Sequence, residues 1–183
     1  MLRRFFASVV DVLEVAVVAV AAVFLIRSFI VQPFLVSGES MIPNFAHGDY
    51  LLIDEITYRF RPPERGEVAV FHYPQNESTY FIKRIIGLPG EKIGIKDGSV
   101  KIVNQDNPEG FLLDEEYLTT NLKTAGDIQL TLAENQYFVL GDNRLYSFDS
   151  RSWGSLSSKE IVGLVRLRLW PIAKVRAFTA PAY

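Results

Sequence analysis

The chain has 183 residues, enough for one ordinary domain and a short appendage, with 49% hydrophobic residues and a formal net charge of −2. That balance supplies no chain-wide basic field, so the expected partners exclude nucleic acid. The lack of cysteine removes disulfides, thiol nucleophiles and thiolate metal sites, and two histidines, His47 and His72, are too few for a histidine-rich metal centre.

The first element is apolar. Residues 5–31 are mostly hydrophobic but carry Asp11, Glu14 and Arg27, and the uninterrupted run 15–26 is 12 residues long. As a helix it covers about 18 Å, against about 30 Å for a bilayer core. A buried amphipathic helix and a cleaved leader are the alternatives; Val23-Phe24-Leu25-Ile26 extends the run where a leader has a polar cleavage region. A membrane anchor holds if the charges reach water. Helical side chains lean toward the N-terminus, so Asp11 and Glu14 lean outward, whereas Arg27 leans inward and needs a partner or a lipid headgroup. Arg3 and Arg4 favour a cytoplasmic N-terminus. The expected organisation is a cytoplasmic N-terminus and transmembrane anchor over 1–31, then an extracytoplasmic β domain over 32–183.

Ser37-Gly38-Glu39-Ser40-Met41-Ile42-Pro43 follows the anchor directly. A turn-forming stretch closed by a proline can expose Ser40 Oγ and aim its own N–H at an oxyanion. A serine satisfying a loop amide is the bland alternative. Nine steps separate Val31 from Ser40, so an extended chain keeps this serine within about 30 Å of the span.

The remainder reads as short strands between turn signals, at 50–54, 67–72, 80–87, 92–96, 100–103, 137–140 and 162–170, with Asp97-Gly98 marking a tight hairpin. Residues 104–110 read as a polar loop and 122–129 as another excursion. No large helix is expected outside the anchor, and the fold class is mainly β. Within 80–87, alternation puts Phe81, Lys83 and Ile85 on one face. A lysine between Phe and Ile is a candidate for desolvation, which favours the neutral amine and lets it act as a base. A snorkelling surface lysine is the alternative.

Ser40 and Lys83, together with Phe81-Ile82-Lys83-Arg84-Ile85-Ile86-Gly87-Leu88-Pro89-Gly90 and Gly141-Asp142-Asn143-Arg144…Ser147-Phe148-Asp149-Ser150-Arg151, resemble the bacterial type I signal peptidases over residues 11–175. The resemblance implies a β-rich catalytic domain in which Ser40 is the nucleophile and Lys83 the base. It further implies that Ser147 hydrogen-bonds and orients the lysine, and that Asp149 and Arg151 form a supporting ion pair. Oxyanion binding falls to the Ser40 backbone N–H, with Ser37 an added candidate. No metal or cofactor is implied. The implied substrates are preproteins with small residues at positions −1 and −3, and membrane lipid is the other partner.

The chain departs from the family pattern at Gly38, where some members have serine, at Asn44, usually threonine, at Leu145-Tyr146, usually polar, and at Glu55, where lysine is common. Two other readings differ in kind. Repressor-type autopeptidases carry a DNA-binding module and a cut site ahead of the serine, and here only 39 apolar-rich residues precede Ser40. An inactive membrane-anchored binding module would most plausibly have lost Ser40 or Lys83, and both are present. A local Ser-His-Asp set from His47 and Asp49 is too close in sequence for one side chain to orient the other. Core is the default expectation for Phe45, Trp153 and Trp170.

Overall fold

The computed structural model describes residues 11–21, 31–118 and 122–181. Residues 11–21 form a helix, α1, on which Val12, Leu13, Val15, Val17, Val18 and Val20 are all exposed. No helix among the described residues is long and apolar enough to cross a membrane, and the rest of the predicted anchor lies outside them.

Twelve strands follow: β1 (Val31–Leu35), β2 (Tyr50–Asp54), β3 (Val68–Tyr73), β4 (Asn76–Gly87), β5 (Lys92–Lys96), β6 (Ser99–Val103), β7 (Phe111–Leu112), β8 (Ile128–Thr131), β9 (Gln136–Leu140), β10 (Leu156–Ser157), β11 (Ile161–Trp170) and β12 (Arg176–Ala177). Single turns of helix, α2 (Thr57–Phe60) and α3 (Ser150–Trp153), interrupt them. Every predicted strand is present, and Asp97-Gly98 joins β5 to β6. The short strands β7, β10 and β12 were not predicted, because two residues cannot show an alternation, and β8 begins inside the excursion expected over 122–129. Strand β1 was missed because it carries Pro33; it is an edge strand, where a missing N–H is tolerated.

The strands make an eight-stranded antiparallel sheet, ordered β1-β2-β11-β3-β4-β9-β10 with β12 on β11, and a four-stranded sheet, ordered β7-β6-β5-β8. Strand β3 explains its own apolar run: Val68 and Val70 enter one core with Met41, Phe45, Leu51 and Ile53, while Ala69 and Phe71 enter another with Ile85, Tyr137 and Val139. A third core joins the small sheet to β4 and β9 through Ile86, Phe138 and Leu140.

One gap positions the site. Residues 76–83 of β4 pair only with β3, and β9 joins on the other side from Arg84 onward. Strand β1 pairs only with β2. The Phe34 and Tyr80 rings meet edge to face at 5.2 Å, so the open edges of β1 and β4 face each other. The five strands β1-β2-β11-β3-β4 thus curl toward closure and leave one strand's place empty.

Candidate active site

A cleft of about 340 Å³ occupies that gap. Its walls are the segment from Phe34 to Ser40, Tyr80 to Lys83 of β4, and Tyr146 and Phe148 opposite, over a floor of Leu51 and Val70. Lys83 lies 2.7 Å from Ser40 Oγ through its Nζ and also donates to the Ile82 carbonyl at 2.9 Å. The lysine is 4% exposed and no carboxylate among the described residues pairs with it directly. Burial pushes its ammonium down to about 8, against a smaller upward pull from Asp149 and Asp142. Phe81, on the same face as the alternation requires, sits 5.1 Å from Nζ.

Phe45 is fully buried and Met41 nearly so, which anchors the serine loop from below. The loop turns at Gly38, whose φ of +99° lies where a side chain strains the backbone. That accounts for the glycine at this departure from the family pattern. No acceptor among the described residues takes the Ser40 N–H, so it is free to serve an oxyanion, while Ser37 is exposed on the cleft wall.

The Gly141-Asp142-Asn143 turn grips the same loop. Asn143 donates its backbone N–H to the Ser40 carbonyl at 3.0 Å and its Nδ2 to the Glu39 carbonyl at 3.0 Å. A Cβ on Gly141 would stand 2.4 Å from the Ser40 carbonyl oxygen and 2.1 Å from Ser147 Oγ, so only glycine lets the two segments approach. Asp149 accepts the Gly141 N–H at 3.0 Å and takes Arg151 through Nε and Nη2, each at 2.8 Å. Burial alone would raise the Asp149 carboxyl; Arg151 and the Gly141 N–H hold it below its ordinary value. The ion pair therefore braces the turn that carries the grip.

Ser147 does not make the implied hydrogen bond to Lys83. Its Oγ is buried beside Gly141 and next to the Asp149 carboxylate, and among the described residues the lysine spends its contacts on Ser40 and Ile82. The Leu145-Tyr146 pair just before it is largely exposed, consistent with a local geometry set by other residues than in the polar-pair pattern. His47 accepts from Gly38 N–H at 3.4 Å, and Asp49 accepts from Ala46 N–H and forms an ion pair with Arg168, so neither forms a triad with Ser40. Phe45 is core as expected, whereas Trp170 is 55% exposed.

Sequence reasoning missed Arg84, Asp142, Asn143 and Asn44. Arg84 is buried next to Lys83 and forks onto Asp142 through Nε at 2.8 Å and Nη2 at 2.6 Å. Its signal was an arginine directly before the apolar Ile85-Ile86 of the strand, which demands a buried carboxylate elsewhere.

The family described as signal peptidase, peptidase S26, matches residues 9–170. A Synechocystis protein named "Probable signal peptidase I-2" is 36% identical over 93% of this chain and 78% of its own. Signal peptidase I P of Bacillus subtilis subsp. natto is 32% identical over 95% of this chain and 96% of its own. A crystal structure of a signal peptidase I from Enterococcus faecalis is 32% identical, covers 57% of this chain and 97% of that one, and superposes with a TM-score of 0.47. With both motif-bearing segments inside the matched region, the chain belongs to the signal peptidase family, peptidase S26.

Proposed function

We propose that the protein is a membrane-bound serine endopeptidase that removes N-terminal signal peptides from exported preproteins, with Ser40 as nucleophile and Lys83 as general base. The observation that carries this reading is a buried lysine without a direct carboxylate partner, 2.7 Å from a loop serine, at the end of an apolar cleft. Neutral Lys83 takes the Ser40 hydroxyl proton as Oγ attacks the scissile carbonyl. The new oxyanion is held by the Ser40 N–H. Lys83 then gives its proton to the departing amine, leaving an ester on Ser40. A water that loses its proton to Lys83 hydrolyses that ester and returns Ser40 to the hydroxyl form.

The open edges of β1 and β4 favour an extended peptide, which adds as a strand through main-chain hydrogen bonds. In such a strand, positions −1 and −3 point the same way. The floor they meet, Val70 and Leu51 beside Ile82 of the wall, is apolar and suits small uncharged side chains. Residues 1–31 serve as anchor with the N-terminus cytoplasmic, and 32–183 form the extracytoplasmic catalytic domain. The exposed valines of α1 suit a lipid environment. Leu35, Tyr50 and Trp170, register neighbours across β1, β2 and β11, are exposed beside the cleft and suit its placement at the lipid surface.

Incubating the detergent-solubilised full chain with a preprotein tests the reading. Cleavage by the wild type, lost in Ser40→Ala and in Lys83→Ala, is expected; cleavage that persists in either variant contradicts it. Protease added to intact cells stripped of any outer layer should digest the globular part, and protection until the membrane is broken would overturn the topology.

A further inference from the structure

We propose that Asn44 is a positioning residue that holds the Ser40 loop and the Gly141-Asp142-Asn143 turn in register with Lys83. The proposal rests on the reading of Ser40 and Lys83 as the catalytic pair. Asn44 lies four residues beyond Ser40, on the same loop. Its Nδ2 donates to Asp142 Oδ2 at 2.9 Å and to the Tyr117 carbonyl at 2.8 Å. An amide nitrogen has two protons, so both are used. The main-chain carbonyl of Asn44, which a substitution keeps, accepts from Arg168 Nη2 at 2.5 Å, and Arg168 also pairs with Asp49 at the loop's far end.

These contacts close a circuit. Asn44 binds Asp142, Asp142 takes the fork of Arg84, Arg84 follows Lys83 in β4, and Lys83 meets Ser40. The Asp142 N–H also points at Met41 Sδ at 3.4 Å, and the next residue, Asn143, grips the Ser40 carbonyl. Asn44 thus reaches, from the serine loop, the carboxylate held by the lysine's neighbour. Threonine, usual in the family, has a single hydroxyl proton and can serve only one of the two acceptors.

The circuit also borders water-accessible space. Asn44, Arg84 and Tyr117 line a second cavity, of about 290 Å³, that neither Ser40 nor Lys83 lines. Loss of the amide opens that wall toward Asp142 and weakens the desolvation of Lys83. The charged groups around Lys83 are Asp142 with Arg84, Asp149 with Arg151, and Glu39 on the wall of the cleft. A change at Asn44 keeps the charge of each of these groups but takes a hydrogen bond from Asp142, so a moved lysine titration reports the placement of that carboxylate together with hydration.

The experiment compares wild type, Asn44→Ala and Asn44→Thr in the full chain, reading turnover of a preprotein and the Lys83 titration by NMR of isotopically labelled lysine. For Asn44→Ala the expected result is a loss in kcat of about tenfold or more, with KM within about twofold. The Lys83 titration should move up by about half a pH unit or more, toward its ordinary value. Asn44→Thr should fall between alanine and wild type in both. A purely structural role would lower thermal stability and leave both readings unchanged in the folded protein. Wild-type kcat and titration in folded Asn44→Ala overturn the proposal, and should that variant not fold, the same result in Asn44→Thr does so. A Ser40→Ala protein that still cleaves would overturn the catalytic pair instead, leaving the Lys83 titration in Asn44→Ala to decide on the circuit.

Discussion

In the four-stranded sheet, β5 and β6 send Ile93, Ile95, Val100 and Ile102 into one apolar core and leave Lys92, Lys96 and Lys101 in water. Around the cleft the buried side chains include Lys83, Arg84, Asp142, Arg144 and Asp149. The first region follows the period-two rule and needs only its own alternation to fold. The second depends on partners far away in sequence, as with Arg84 and Asp142 or Arg144 and Glu115. Desolvating a charge is costly unless it is paired, so each buried arginine has its carboxylate. Lys83 has no direct carboxylate partner, and its cheaper course is to lose the proton. On the proposed reading, Lys83 is the base and its strand neighbour Arg84 a brace.

The sharpest way to break this comparison is at the cleft. Ser40→Ala and Lys83→Ala should each lower kcat by about 10⁴ or more with the fold intact, and the double variant should be no worse than either single one. Additive losses in preprotein cleavage would show that the two groups do not act as a unit.

A matched pair of substitutions separates stability from chemistry. Asp142→Ala leaves Arg84 buried without its carboxylate and should cost about 3–5 kcal/mol of stability, together with most turnover. Ile95→Ala in the small sheet should cost about 2–5 kcal/mol by creating a cavity. Its folded fraction should keep wild-type kcat. Denaturant unfolding alongside preprotein cleavage checks both, and a catalytic loss in folded Ile95→Ala would contradict the division.

The same division describes what the sequence makes legible. Strands β2 and β5 match their predicted bounds because their alternation is uninterrupted. Ser40 and Lys83 could be picked out by motif and by the flanking Phe81 and Ile85. The grip of Asn143 on two carbonyls, the circuit through Asn44 and the failure of Ser147 to reach Lys83 could not. They depend on how two loops about a hundred residues apart are docked, and no local pattern encodes that. Gly141 was visible only as part of a motif; its reason is the closeness of Ser40 and Ser147.

Two smaller effects sharpen the account. A lysine whose folded titration is lowered binds its proton more weakly in the native state than in the unfolded chain. Between about 8 and the ordinary lysine value the unfolded state holds more protons, so this group adds stability as pH rises through that window and costs it below. Lys83→Met should therefore be inactive yet more stable than wild type at neutral pH, by about 1–3 kcal/mol, with the gap closing toward pH ~10.5. A variant less stable than wild type at neutral pH would mean that Lys83 is held as a satisfied ammonium. The smallest effect is expected at Ser147. Its hydroxyl makes no hydrogen bond to Lys83 among the described residues and stands beside an Asp149 carboxylate already held by Arg151 and the Gly141 N–H, so Ser147→Ala should change stability by less than about 1 kcal/mol and leave the alkaline titration of Lys83 in place.

The neutral amine is the central claim, and titrating Lys83 directly while recording kcat/KM against pH tests it most closely. Lys83 should lose its proton near pH 8, and preprotein cleavage should rise along the same limb, since the free enzyme's essential base sets that profile. A lysine that titrates at its ordinary value, or cleavage that stays flat from acidic to alkaline pH, would contradict it.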